Sequence, residues 1–284
     1  MLEERFDPAS LDQFASASRK LPEFMHWRLL QCPVCDLLFA SPAPDSRALA
    51  DAYRVAEYDS GEESLYAART YGELLCDVAP RLPESGGALD VGAGDGAFLR
   101  VLRELGFDDL AGVEPSHAAR EAADPSIRPL IRAGVFSAED FQARRPRLIS
   151  ALHIVEHLAD PLAVFRSAHA LLKDGGALFV ACHDRRAPLN RLLGRHSAIY
   201  DIEHLQLFSG RSLRELLERA GFDDLEIRRY RNRYPLRYWM RLAPVGRRAK
   251  LALIAGLDRV QVGSVPLTLP VGNLVAVAWR QSSA

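Results

Sequence analysis

Two groups of histidines and carboxylates have the residue types and spacing for acid–base chemistry. His153 ends the apolar run "RLISALHIV" and leads into Glu156 and His157 in "EHLADP"; farther on, "YDIEHLQLFS" brings Tyr200, Glu203 and His204 together. An imidazole titrates near neutrality, and beside a carboxylate it is a general base for a hydroxyl or an acidic C–H. The alternatives are mechanical: Glu156 and His157 bracing a loop, and His204 with Phe208 and Ser209 stapling the next helix. A third group, Cys32-Pro-Val-Cys35, supplies half of the ligand set a structural zinc needs, and His26 is the only nearby substitute. The pair reads as packing thiols, and no metal is assigned.

The stretch "ALDVGAGDGAFL" carries a second kind of chemistry. Gly92, Gly94 and Gly96 have no Cβ, so the chain can bend sharply there and let a ligand approach the backbone. Read as Gly92-x-Gly94-x-x-Ala97, with Glu114 in position to hold a ribose diol, the loop fits a dinucleotide fingerprint and hence an NAD(P)-dependent oxidoreductase. Asp90 points the other way. A carboxylate just before the first glycine repels a pyrophosphate and suits a ligand bearing an ammonium group.

The elements that must position these residues alternate. Strands are expected at "ALDVG", "LAGVE", "RPLIRAG", "RLISALHIV" and "ALFVACH", with helices such as Ala97 to Leu105 and "PLAVFRSAHALL" between them. That pattern is an α/β fold with a largely parallel sheet. After it come the helix "SGRSLRELLERA", a sixth strand at "LEIRRY" and a seventh at "NLVAVAWR". The connection between the last two exceeds a normal loop, so residues 231–270 are read as an insertion or lid.

The chain has 284 residues and a net charge of -1, which give no global reason to expect nucleic acid as a partner. No apolar run approaches the roughly 20 residues of a membrane span, and "MLEERFDPAS" lacks a secretion-signal pattern. A cytoplasmic protein with reduced thiols is expected. One local exception is residues 227–250, where Arg228, Arg229, Arg231, Arg233, Arg237, Arg241, Arg247, Arg248 and Lys250 stand among aromatic residues with no acid. Such a run suits anionic lipid headgroups or an anionic ligand, and equally a solvated face or a homodimer contact.

The phrases "LDVGAGDGAFL", "GVEPS", "ALHIVEHLADPLAVFRSAHALLKDGGALFVACHD" and "EHLQLFSGRSLRELLERAGF" together resemble a class I S-adenosylmethionine-dependent methyltransferase, over residues 86 to 225. The N-terminal "CPVCDLLFASPAPDSRALADAYRVAEY" resembles the entry segment of the subgroup that methylates sugars and other small metabolites. The resemblance implies a Rossmann-like seven-stranded sheet with the last strand antiparallel, a helical N-terminal cap and a C-terminal insertion. Residues 1–80 would form the cap, holding a degenerate zinc-ribbon-like segment, and 81–284 the methyltransferase domain.

It also implies a site. Glu114 would hold the ribose, with Pro115 beside it, and Asp90 would attract the ammonium. Gly92, Ala93, Gly94 and Gly96 would lie against the methionyl part. Val135, Phe136 and Ser137 would flank the adenine, with Glu139 or Asp140 as the family's acidic residue there. Tyr53 and Tyr58 would close over cofactor or acceptor, unless they are ordinary packing. His153, His157, Tyr200, Glu203 and His204 are the catalytic candidates. The reaction would move a methyl group to an oxygen or carbon of a small-molecule acceptor, a sugar or natural-product intermediate; the rival is a noncatalytic protein that binds the same cofactor. One departure is Pro146-Arg147, where the family often begins strand four with Phe-Asp.

Overall fold

The computed structural model describes residues 1–6, 24–58, 60–243 and 245–281, without the side chains of residues 46, 47 and 247. Short apolar runs flanked by glycine or proline become strands buried on both faces: β3 (Ala88–Val91), β4 (Leu110–Glu114), β6 (Leu148–Leu152) and β7 (Ala177–His183). With β5 (Ile131–Ala133), β9 (Asp224–Pro235) and β10 (Pro266–Trp279) they form one sheet in the order β5-β4-β3-β6-β7-β10-β9. The β3, β4, β5, β6 and β7 pairings are parallel, and β10 is antiparallel to both β7 and β9. The strand order reverses direction at β3. In an open sheet that is where a ligand finds a crevice, beyond the carboxyl ends of the strands.

Helices cover both faces. On one, α2 (Glu63–Cys76) packs against α3 (Ala97–Glu104) and β9, around Tyr71, Leu75, Phe98 and Phe179. On the other, α5 (Pro161–Leu171) and α7 (Gly210–Arg219) pack together around Phe165, Leu213, Leu217 and Phe222. Both are capped: the Ala163 N–H donates to Asp160 Oδ1 (2.9 Å), and Ser209 with Ser212 closes a capping box before α7. Short α4 (His117–Glu121) follows β4 and touches α1 (Ser46–Val55).

Ahead of β3 lie α1 and α2, and also a small sheet that the sequence pattern did not announce. There β1 (Leu29–Gln31) and β2 (Leu38–Ala40) form a hairpin, and β2 pairs with β8 (Gln206–Leu207), which lies beyond β7 in the chain. Cys32 and Cys35 sit in the hairpin turn. Asp36, beside them, receives Arg185 Nη2 at 2.7 Å and Arg186 Nη2 at 2.5 Å. Those guanidiniums hold the Asp36 carboxyl down at about 2, so the turn is an ionic dock onto the chain after β7.

Within 231–270, β9 and β10 run on as a ribbon past a register shift between Leu269 and Asn273. The ribbon carries α8 (Leu236–Leu242) and α9 (Arg247–Arg259) at its tip. The sixth strand therefore extends to Pro235 rather than Tyr230, and the seventh begins at Pro266 rather than Asn273. Inward-facing Tyr230, Asn232 and Tyr234 alternate with outward arginines, a strand period that the apparent break at Pro235 conceals. Those arginines also charge the exposed edge of the sheet, which discourages pairing with another chain.

Candidate active site

A cavity of about 1060 Å³ opens at the carboxyl ends of β3, β4, β6 and β7. Single-ligand pockets run from about 300 to 1,000 Å³, so there is room for a cofactor and an acceptor together. The cofactor end is built on the turn after β3. Gly92 and Ala93 donate their N–H groups to Val113 O (2.9 and 3.0 Å), which ties the turn to β4. Glu114, only 8% exposed, accepts Gly94 N–H on Oε2 (2.9 Å) and Ser116 N–H on Oε1 (2.8 Å). Burial raises its pKa, and those two N–H groups oppose the rise.

Asp90 is 2% exposed and accepts the Ser150 hydroxyl at 2.6 Å. β3 and β6 place the two residues directly opposite each other in register. Burial pushes the Asp90 carboxyl up to about 7, against the Ser150 bond, and the neighbouring Glu114 adds to the rise. Two buried carboxylates therefore face a cavity whose mouth can admit a cation.

The glycines divide by function. A Cβ on Gly94 would meet nothing within 4 Å, so its side faces the open cavity, where a ligand can lie against the backbone. On Gly92 it would strike Ile154 Cγ2 at 2.4 Å, and on Gly96 Ile127 Cγ2 at 2.4 Å. Gly96, at φ +73, starts α3 and packs against the β5 side of the core; it does not line the cavity. Its expected place against the methionyl part is thus corrected to a packing role, because its missing Cβ points into protein.

The histidines form the second end. His153, His157, His183 and His204 all line the cavity. Their ring centroids are 4.6 Å apart for His153 and His183, 5.2 Å for His183 and His204, and 4.9 Å for His204 and His157. His153 has φ +54, a left-handed conformation that a non-glycine residue adopts only at a cost. Its Nε2 shares a 2.9 Å hydrogen bond with the Tyr230 hydroxyl, and its Nδ1 lies 3.9 Å from Glu156 Oε1. His157 Nδ1 is 2.8 Å from the Tyr53 hydroxyl and 3.6 Å from Glu203 Oε2. The His204 Nδ1–H donates to Ile199 O at 2.8 Å.

His183 was not among the sequence candidates. It is the last residue of β7, opposite Asn273 of β10 in register, and its Nδ1 lies 2.8 Å from Asn273 Oδ1. Asn273 Nδ2 in turn donates to Asn232 Oδ1 at 2.8 Å. With the amides placed so, Asn273 Oδ1 accepts the His183 Nδ1–H and Nε2 is left as the acceptor. Burial, then the neighbouring His204, holds His183 down at about 3. The signal in the sequence was its position: it ends strand five as His153 ends strand four. Its asparagine partners lie some 50 to 90 residues away in the chain, beyond local reading.

Other expectations shift. Tyr200 lies outside the cavity lining; it packs on the cap cluster of Leu29, Leu38 and Ile199, with its ring 5.8 Å from that of His26. Val135 and Phe136 line the cavity but Ser137 does not, since it precedes a short turn that leads away. Asp140 is paired with Arg132 at 2.7 Å on the surface, and neither it nor Glu139 lines the cavity. Pro115, Tyr53, Tyr58 and Glu203 do line it. Glu156 does not: its Oε1 accepts the His183 N–H at 2.7 Å and its backbone O accepts Leu205 N–H at 2.9 Å. It is a brace. Among the described residues, the group able to hold a metal ion is His153, Glu156 and His183, whose donor atoms lie within 4.8 Å of one another.

A seven-stranded sheet with one antiparallel strand inserted next to its edge, and an acid-lined glycine turn at its switch point, defines the Rossmann-like class that binds S-adenosylmethionine. The chain belongs to the methyltransferase-domain family, whose profile matches residues 64–227, more than half of its length. It is 34% identical over 116 residues to a ubiquinone biosynthesis O-methyltransferase of Xanthomonas campestris, covering 38% of this chain and 48% of that protein. The chain thus matches about half the length of that curated relative.

Its fold is similar to a plantazolicin methyltransferase solved with a substrate analogue and SAH (TM-score 0.52, 17% identity, 84% of this chain and 91% of that one). It is also similar to a SAM-dependent methyltransferase of Thermotoga maritima (TM-score 0.50, 19% identity, 78% and 94%). The cofactor is S-adenosylmethionine. The nicotinamide reading finds no support: the matched family is a methyltransferase domain, and antiparallel β10 with β9 completes the sheet in place of a second mononucleotide-binding half.

Proposed function

We propose that the protein transfers a methyl group from S-adenosylmethionine to a hydroxyl oxygen of a small, largely apolar metabolite. When bound, the cofactor supplies a methyl group activated by positive sulfur. Asp90 holds the ammonium of the amino-acid part, Glu114 the ribose hydroxyls, and the Gly94 backbone lies against the chain between them. Val135 and Phe136 flank the base. Tyr53 and Tyr58, from the cap, close the cavity and exclude water.

Within the wider expectation of an oxygen or carbon acceptor, oxygen is favoured by His183. Its Nε2 is the acceptor when Asn273 Oδ1 takes the Nδ1–H, and the residue lines the same cavity as the acidic turn and the apolar arm. A hydroxyl donating to that nitrogen has its lone pair aligned for attack. A base as weak as His183 is sufficient, because the oxygen becomes strongly acidic as it gains the methyl group and its proton then passes to Nε2. His153, engaged by Tyr230 and Glu156, and His204, tied to Ile199, position His183 rather than replace it. The apolar arm comes from Leu189, Leu193, Tyr238, Trp239, Met240 and Val271, which suits an aromatic or polyketide-like body better than a bare sugar. The name of the Xanthomonas relative, an O-methyltransferase, agrees with this assignment.

The observation that supports this reading is that His183, bonded to Asn273 through Nδ1, lines the same cavity as Asp90 and Gly94. Incubation with S-adenosylmethionine and a panel of hydroxylated aromatic acceptors should release S-adenosylhomocysteine and a methyl ether. His183→Ala should lower kcat by about a hundredfold or more while leaving S-adenosylhomocysteine affinity within twofold of wild type. Turnover unaffected by that substitution would remove the assignment. Residues 1–80 and 231–270 are proposed as a cap and an insertion that wall the acceptor space, and the free cysteines fit a cytoplasmic setting.

A further inference from the structure

The tip of the β9–β10 ribbon has surface chemistry that the site does not use. The described residues include fourteen exposed large hydrophobics, and half of them fall within residues 245–267: Val245, Leu251, Leu253, Val260, Val262, Val265 and Leu267. Leu251 is 54% exposed, Val260 65% and Val265 51%. α9 touches the rest of the protein along a narrow stripe, Lys250, Ile254 and Leu257, spaced as one helix face. Lys250 is the buried anchor, its Nζ donating to Arg241 O at the end of α8. The remainder of the helix is open, and α9 packs on the outside of α8, away from the cavity.

Charge decides what covers it. Arg248 and Arg259 on this helix have no acidic partner among the described residues, and Asp258 is the sole acid between 227 and 270. Other arginines of the ribbon are already paired with Asp77, Asp184 and Glu62. A second copy docked by two-fold symmetry, α9 antiparallel to α9, would bring Arg248 of one copy toward Arg259 of the other, like charge on like charge. An anionic bilayer offers both requirements at once: an apolar layer for the leucines and valines, and phosphates for the arginines.

We propose that α9 and the loop to Leu267 form a membrane-surface docking face, on which the protein sits at the headgroups of an anionic bilayer. Among the described residues no helix is long and apolar enough to cross a membrane, so this contact is peripheral. It does not depend on the methyl-transfer reading.

The test is flotation of the full chain with vesicles of phosphatidylcholine alone or of phosphatidylcholine mixed with phosphatidylglycerol, whose negative surface potential attracts basic segments. Binding is expected to the anionic vesicles, reduced at least fivefold by Leu251→Ser/Leu253→Ser/Val260→Ser and by Arg248→Glu/Arg259→Glu. Both variants lie outside the core and the cavity lining, so unchanged S-adenosylhomocysteine affinity checks that they fold. Absence of binding to anionic vesicles, or binding that survives both variants, overturns the proposal. Sedimentation showing a dimer that the serine variant dissociates also overturns it, assigning the face to a second copy.

Discussion

Asp90→Asn separates stability from binding at one buried group. Because burial raises the Asp90 carboxyl from 3.8 to about 7, the folded protein holds its proton more tightly than the unfolded chain. Its contribution to stability is therefore complete below pH 3.8 and is lost as pH rises through 7. At about 1.4 kcal/mol per pH unit, the ionised group costs about 4 kcal/mol by pH 8. A cationic ligand asks for that same ionised form. With a pKa of about 7, protonation weakens apparent affinity by about 11-fold at pH 6 and about 1.3-fold at pH 7.5, an eightfold rise between them.

Calorimetric titration with S-adenosylhomocysteine, whose ammonium stays charged over this window, should show that rise in the wild type. Asp90→Asn should abolish the slope and bind about tenfold more weakly at pH 7.5. It should also melt at a higher temperature than wild type at pH 8, since Asn can still accept the Ser150 hydroxyl without burying a charge. A wild type with flat affinity, or an Asn variant that keeps the slope, would refute the idea that this carboxylate receives the cofactor's cation.

The two glycines should fail in opposite ways. Gly96→Ala, whose Cβ would lie 2.4 Å from Ile127 Cγ2 at φ +73, should cost about 2–3 kcal/mol in denaturant unfolding with little change in cofactor affinity. Gly94→Ala, facing open space, should lose affinity by tenfold or more in the same calorimetric assay while costing about 1 kcal/mol of stability; the reverse pattern would move the cradle elsewhere. Glu156, pushed by burial to about 7 with Oε2 lacking a hydrogen-bond partner, gives a second pH test. Its folded-state proton is held up to that pH, so Glu156→Gln should raise Tm at pH 8 and leave it nearly unchanged at pH 4; a lowered Tm at pH 8 would mean that a cation normally sits against the carboxylate.

Most of the sheet was legible because its strands are short apolar runs closed by glycine and proline, and that signal is local. The same holds for Asp90, next to last in its strand, and for Glu114, last in its own. The β9–β10 ribbon was hidden: its two halves are separated by two helices, and Tyr230, Asn232 and Tyr234 gain a common inward face only once β10 lies beside them. Tyr200 shows the converse error. Proximity in sequence to Glu203 and His204 suggested a shared site, but the turn between them sends the tyrosine into the cap.

By itself, then, the sequence determined the α/β class, through the alternation of strands and helices, and the acid-flanked glycine turn, through residues within one turn, while the cofactor followed from a resemblance carried by phrases spread over residues 86 to 225. Tertiary structure alone decided which histidines meet in the cavity and what each is bonded to. Four imidazoles are brought together from the ends of β6 and β7 and the loops beyond them, and it is the pairing of β7 with β10 that sets His183 against Asn273, while Ile199 O takes the His204 Nδ1–H. A hydrogen bond between residues 90 positions apart depends on strand register, which no local pattern of residue types encodes.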